Sequence, residues 1–108
     1  MNKYDEINCK ELHDKVNTKA DFVLIDVREQ DEYDLCSIKE AQLIPLNTLP
    51  ETYEHLDPNK EIIVMCKMGG RSAKACEFLA AKGFKKLKNL SGGIRQWAEE
   101  IDPSMPVY

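Results

Sequence analysis

IIVMCKMGGRSAKACEFLAAKG, Ile62 to Gly83, reads as three consecutive pieces. Ile62 to Cys66 is an unbroken apolar run of the kind found in a strand covered on both faces of a parallel sheet. Cys66 to Gly70 is a turn. Ser72 to Lys82 has a helical pattern with Ala73, Cys76, Leu79 and Ala80 on the inner face, and Gly83 suits the position that ends it. A second run of the same type, FVLIDV (Phe22–Val27), lies upstream and leads into a short charged helix at Gln30 to Asp34. Between the two runs come a brief strand, LIPL (Leu43–Leu46), and a loop with a helical turn from Asn47 to Leu56. Pro58 and Asn59 punctuate before the quoted stretch. Downstream, Lys86 to Leu90 is a strand, Ser91-Gly92-Gly93 a turn, Ile94 to Glu100 a helix, and DPSMPVY an irregular tail. At the front, Asn8 and Glu11 have capping-box spacing, with Leu12 and Val16 one turn apart behind them. Strands alternating with helices at this spacing imply an α/β domain with a largely parallel sheet.

Composition bounds the function. A chain of 108 residues is one domain, here residues 1–108, with no internal repeat. Fifteen Lys and Arg against 19 Asp and Glu leave a net charge of −4, and the pI is about 5.2. That balance argues against nucleic-acid binding through bulk charge. The longest uncharged stretch, Ala41 to Pro50, is ten residues with two prolines, so no membrane helix is expected. The N-terminal MNKYDEINCKELHDK carries charges where a signal peptide needs an apolar run, which points to the cytoplasm. Cysteines at 9, 36, 66 and 76 form no CxxC pair, and His13 and His55 are the only histidines. No metal site is expected from that spacing.

The turn after Ile62–Cys66 carries the chemistry. In open α/β sheets ligands bind beyond the carboxyl ends of strands, where Cys66 falls. Lys67-Met68-Gly69-Gly70-Arg71 can curl its amides around the sulfur, with Gly69 and Gly70 permitting positive φ. The start of the helix, Lys67 and Arg71 add positive charge, which should lower the thiol pKa and hold an anion. The plain alternative makes Cys66 a buried strand-end cysteine and the glycines a turn; two cations beside a helix start favour the nucleophile. Cys76 falls on the apolar stripe of its helix, and Cys9 beside a helix start is incidental. Cys36 is read as structural although it could lie near the site. His13 and His55 are read as solvated.

Two reactions suit an anion-holding thiolate: phosphate-ester hydrolysis and transfer of a sulfane sulfur through a persulfide. Cysteine phosphatases use Cys-x5-Arg loops, whereas Cys66 to Arg71 is Cys-x4-Arg. The smaller ring fits a single sulfur, and sulfur transfer is favoured. A small cysteine phosphatase and a non-catalytic docking module remain as rivals.

LIDVREQDEY (Leu24–Tyr33), CKMGGR (Cys66–Arg71) and LSGGIRQW (Leu90–Trp97), in this order, resemble the rhodanese family of sulfurtransferases. The resemblance implies a single rhodanese-like domain, a five-stranded, mainly parallel sheet flanked by helices on both faces. It implies a persulfide on Cys66, cradled by the amides of Lys67, Met68, Gly69, Gly70, Arg71 and Ser72. Asp26 and Arg28 would shape and charge the pocket from the opposite side; a structural hydrogen-bond network of Asp26, Arg28 and Glu32 is an equal reading. Trp97 and Gly92-Gly93 are read as packing and turn residues. No metal or organic cofactor is implied. Cys36-Ser37-Ile38-Lys39-Glu40-Ala41 departs from the family's Gly-His-Ile-Pro-Gly-Ala. With CKMGGRS and WAEEIDPSMPVY, that variant is most similar to rhodanese domains fused to the C-terminus of adenylyltransferases of molybdopterin and thiamine biosynthesis. The donors implied are thiosulfate or a persulfidated cysteine desulfurase, and the implied partners a sulfur-carrier protein and an adenylyltransferase.

Overall fold

The computed structural model describes residues 3–108. Met1 and Asn2, the start of the N-terminal stretch and of the domain span read above, lie outside the described residues. Five strands alternate with helices: β1 (Asp5–Ile7), α1 (Cys9–Asn17), β2 (Val23–Asp26), α2 (Gln30–Leu35), β3 (Ala41–Leu43), α3 (Leu49–Thr52), β4 (Ile62–Met65), α4 (Gly70–Ala81), β5 (Leu87–Leu90) and α5 (Gly93–Glu100). Two short 3₁₀ turns flank α3. The strand order is β1-β5-β4-β2-β3, and all four pairings are parallel.

The unbroken apolar runs now have a physical cause. Leu24, Ile63, Met65 and Leu90 pack on one side with Cys9, Leu12, Ile94 and Trp97 of α1 and α5. Ile25, Ile62, Val64 and Leu87 pack on the other with Leu49 of α3 and Ala75, Cys76 and Leu79 of α4. Successive residues of a strand face opposite sides, so a strand covered on both is apolar on both, as along all of β4 and from Val23 to Ile25 of β2; the buried polar Asp26 and Asn89 stand near the carboxyl ends of β2 and β5. Capping fixes the first helix: Asn8 accepts from the Glu11 amide at 2.8 Å, and Glu11 accepts from the Asn8 amide at 3.1 Å.

Several boundaries differ from expectation. The third strand is Ala41–Leu43, not Leu43–Leu46, because Pro45 has no N–H to offer a ladder. β1 went unread: Asp5 and Glu6 are exposed at the sheet edge and only Ile7 is buried. α4 starts at Gly70, two residues early, and its buried residues are Ser72, Ala75, Cys76 and Leu79. Ala73 and Ala80 are half-buried. His13 is half-buried as well, edge-on to Trp97 at 5.8 Å, whereas His55 is exposed as expected.

Topology places the site. From β2 the chain moves outward to β3, and from β4 it moves the other way to β5. The loops leaving β2 and β4 therefore diverge and open a crevice at their carboxyl ends, the usual ligand position in such sheets. α5 closes one wall: its first turn donates from Ile94 N to Cys66 O at 2.9 Å and from Arg95 N to Lys67 O at 3.1 Å. That approach requires Gly93, whose φ is +63° and where a β-carbon would lie 2.2 Å from Lys67 O. Gly93→Ala should cost about 1–3 kcal/mol of stability through backbone strain, measured by urea unfolding. An unchanged midpoint would show that the contact is not a constraint.

Candidate active site

Cys66 follows β4 directly and is 1% exposed. The loop beyond it holds its carbonyls outward. Besides the two α5 contacts, Gly69 O accepts from Ala73 N at 3.1 Å and from Asn89 Nδ2 at 3.3 Å. The amides consequently face the sulfur: Gly69 N donates to Cys66 Sγ at 3.1 Å and Ser72 N at 3.4 Å. Gly69 is required twice over, with φ +104° and a β-carbon position 2.7 Å from Ser91 O. The expectation that both glycines supply positive φ holds for Gly69 alone. Gly70 opens α4 with ordinary φ and free space where a β-carbon would stand.

Behind the sulfur lies a polar chain. Ser72 Oγ is 3.3 Å from Cys66 Sγ and donates to Asn89 Oδ1. Asn89 Nδ2 is turned toward Gly69 O and the Glu6 carboxylate, which leaves Oδ1 facing Ser72. A hydroxyl has one proton. With Cys66 as a thiol, S–H donates to Ser72 and Ser72 to Asn89; with Cys66 ionised, the Ser72 hydroxyl turns to the sulfur. Burial pushes the Cys66 thiol up. The Ser72 hydroxyl and the amides of Ser72, Gly69 and Met68 outweigh it, so the net shift is downward. Hydrogen bonds thus lead where the sequence pointed to the charges of Lys67 and Arg71. Cys76 and Cys9 move the opposite way: burial pushes them up to about 12 and about 11. The four cysteines are unpaired.

The rim differs from a bare cationic mouth. Arg71 is clamped by Glu32 through Nη1–Oε1 at 2.6 Å and Nη2–Oε2 at 3.0 Å. The Tyr108 hydroxyl donates to Glu32 Oε2 at 2.8 Å and accepts from Arg28 Nη1 at 2.8 Å. Arg28 and Asp26 are fully buried. Arg28 Nη2 donates to Asp26 Oδ2 and to Cys36 O, each at 2.7 Å, and Nε donates to both Asp26 oxygens at 3.0 Å. Arg28 Nη1 also reaches Glu32 O and Cys36 Sγ, at 3.3 and 3.9 Å. Lys67 Nζ stands 4.5 Å from the Tyr108 ring centroid.

The fold therefore brings Cys66, Lys67, Met68, Gly69, Gly70, Arg71 and Ser72 into one loop. Asp26 and Arg28 form a buried pair that reaches it only through Tyr108 and Glu32. Cys36 joins that pair through its carbonyl and sulfur. Asn89 and Tyr108 escaped the sequence reading. Asn89 left a faint signal, a polar residue inside the strand LKNL, whereas Tyr108 sits in an irregular tail with no local pattern. Among the described residues, no cluster of His, Cys, Asp and Glu could hold a metal, and no helix is long and apolar enough to cross a membrane.

Comparison with known proteins gives a consistent picture. The family model for the rhodanese-like domain matches residues 8–100. A protein named Sulfurtransferase from Allochromatium vinosum is 29% identical over 94 residues, covering 87% of this chain and 88% of that protein. Adenylyltransferase and sulfurtransferase MOCS3-2 of Zea mays is 32% identical over 109 residues, 94% of this chain. The chain spans 23% of the length of that maize protein. The crystal structure of a rhodanese-like domain protein from Staphylococcus aureus superposes with a TM-score of 0.83 at 32% identity, covering 90% of this chain and 94% of that one.

The site predicts a pH dependence. A thiol lowered by hydrogen bonds reacts as thiolate at lower pH than an ordinary cysteine. Iodoacetamide modification of Cys66, followed by mass spectrometry, should have its pH midpoint below the ordinary cysteine value, and Ser72→Ala should move it upward. A midpoint indifferent to Ser72→Ala would remove the hydroxyl from thiolate stabilisation.

Proposed function

The chain belongs to the rhodanese-like domain family, and on that footing we propose that residues 1–108 form a cytoplasmic sulfurtransferase domain carrying a sulfane sulfur as a persulfide on Cys66. Family membership and relatives named as sulfurtransferases support the sulfurtransferase role. The observation that carries the persulfide reading is the convergence of the Gly69 and Ser72 amides on one buried sulfur.

In the first step the Cys66 thiolate attacks the sulfane sulfur of a donor, thiosulfate or a persulfidated cysteine desulfurase. A new S–S bond forms, the donor's S–S bond breaks, and its electron pair leaves on sulfite or on the donor cysteine. Negative charge is conserved, and it comes to rest on the outer sulfur. The amides from Lys67 through Met68, Gly69, Gly70 and Arg71 to Ser72 are the groups that would hold that sulfur, acting as fixed dipoles in a site with little water. Asp26 and Arg28 act at one remove, as the buried anchor of the rim. In the second step a thiophilic acceptor attacks the outer sulfur and restores the thiolate. No metal or organic cofactor enters either step.

The likeness to an adenylyltransferase and sulfurtransferase suggests a more particular acceptor. There the persulfide would attack the acyl-adenylate at the C-terminus of a sulfur-carrier protein and expel AMP. The implied partners are that carrier and an adenylyltransferase, in molybdopterin or thiamine biosynthesis.

Intact-protein mass spectrometry after incubation with thiosulfate, and separately with a persulfidated desulfurase, tests the reading. The parent should gain one sulfur and release it to cyanide as thiocyanate. Cys66→Ala should gain none, while Cys76→Ala should behave as the parent. Absence of the adduct with both donors would overturn the reading in favour of a docking module, and turnover of an aryl phosphate would favour the phosphatase.

A further inference from the structure

Arg71 is the guanidinium of the loop, and its charge is already met. Both Glu32 oxygens engage it, and the Tyr108 hydroxyl holds the same carboxylate from behind. The direction of that last bond is fixed by chemistry. Arg28 has donors only, so the Tyr108 oxygen accepts from it and the Tyr108 proton goes to Glu32. Asp26, Arg28, Tyr108, Glu32 and Arg71 thus form one chain from the buried floor to the rim, with Glu32 locked toward Arg71. The Arg71 contact and the Tyr108 bond help hold Glu32 down to about 2, and burial first of all pushes Tyr108 up to about 12. Neither changes charge in the neutral range.

Resting on the sulfurtransferase reading, and naming its donor class, the geometry points to Glu32 as a specificity-determining residue: held by Tyr108, it disfavours small dianionic donors such as thiosulfate and favours a cysteine persulfide presented by a protein. A thiosulfate dianion entering the loop must pull Arg71 from Glu32 or bring its sulfonate charge beside a carboxylate, and either is a like-charge cost. A protein persulfide brings one negative charge, on the terminal sulfur that is to be transferred. That sulfur needs the amides of the loop and not the guanidinium. The loop's surroundings suit such a donor: Met68 and Val107 are 58% and 66% exposed, and both neighbour Arg95. In the step itself the Cys66 thiolate attacks the terminal sulfur, the Cys66 S–S bond forms, and the donor's S–S bond breaks. The electron pair leaves on the donor cysteine's sulfur, one thiolate and one persulfide stand on each side, and no oxidant is needed.

Glu32→Gln keeps the size of the side chain and one acceptor oxygen, removes its charge and turns the second acceptor into a donor. The test compares parent, Glu32→Gln and Tyr108→Phe in the thiosulfate–cyanide reaction and in loading of Cys66 from a persulfidated cysteine desulfurase, with thermal melts run alongside. Glu32→Gln should lower the KM for thiosulfate about tenfold and shift the ratio of thiosulfate to desulfurase efficiency by a similar factor. The shift should shrink at high salt. Tyr108→Phe should move the ratio the same way by a smaller factor, and Arg71→Ala added to Glu32→Gln should cancel the gain. A thiosulfate KM that stays at the parent value in folded Glu32→Gln, or an equal gain with both donors, would overturn the specificity role alone. If Glu32→Gln does not fold, the sign of the Tyr108→Phe shift decides. A parent that takes up sulfur from neither donor would overturn the sulfurtransferase reading, and this one with it.

Discussion

A sulfur with 1% exposure can be held as an anion only by donors of the protein, because bulk water does not reach it. Much of the local architecture answers that need. The carbonyls of Cys66, Lys67 and Gly69 are drawn outward by α5, α4 and Asn89, and the opposing amides are thereby turned inward. Gly69 accepts the left-handed conformation this imposes and lets Ser91 O approach to where a β-carbon would stand. Gly93 does the same for Lys67 O. The two glycines are constrained by close backbone approach as much as by φ, and both close approaches lie where the loop after β4 meets the Ser91–Gly93 turn.

The charged groups follow a different logic. Asp26 and Arg28 are completely buried, where an ion pair is tolerated only if its hydrogen bonds are satisfied. Arg28 meets that condition by donating to Asp26, the Cys36 and Glu32 carbonyls and the Tyr108 hydroxyl. The pair is thus a rigid floor beneath the rim. It sets the position of Tyr108, and through it the position of Glu32 beside Arg71. The electrostatics at the mouth of the loop are decided by pairing, so counting cations in the motif overstates how positive the mouth is.

The strands β2, β4 and β5, the helix α4 and the loop from Cys66 to Arg71 were legible because each is a local pattern. Burial on both sheet faces writes itself as apolar runs, Val23 to Ile25 in β2 and all of β4, and a sharp strand-to-helix turn writes itself as glycine. The five-stranded sheet came from family resemblance, because β1 has one buried residue in three and no run to betray it. The third strand was misplaced because the apolar run LIPL continues past the end of β3: Ile44 N still bonds to Asp26 O at the end of β2 and Leu46 N to Val27 O just beyond it, while Pro45 between them cannot donate. The inner face of α4 is set by packing of Ala75, Cys76 and Leu79 on the sheet, and Ser72, three and four residues before Ala75 and Cys76, falls on that same face beside the sulfur.

By itself the sequence determined the fold class, and it singled out Cys66 and a six-residue loop whose length points to sulfur over phosphate. Tertiary structure alone decided which partner Arg71 has, where the Tyr108 hydroxyl goes, and that Asn89 stands behind Ser72. Those contacts join residues 39, 76 and 17 positions apart. A helix or strand leaves a period in the sequence because its neighbours are a few residues away. A hydrogen bond between distant side chains leaves none, since only packing of the whole chain brings its two ends together.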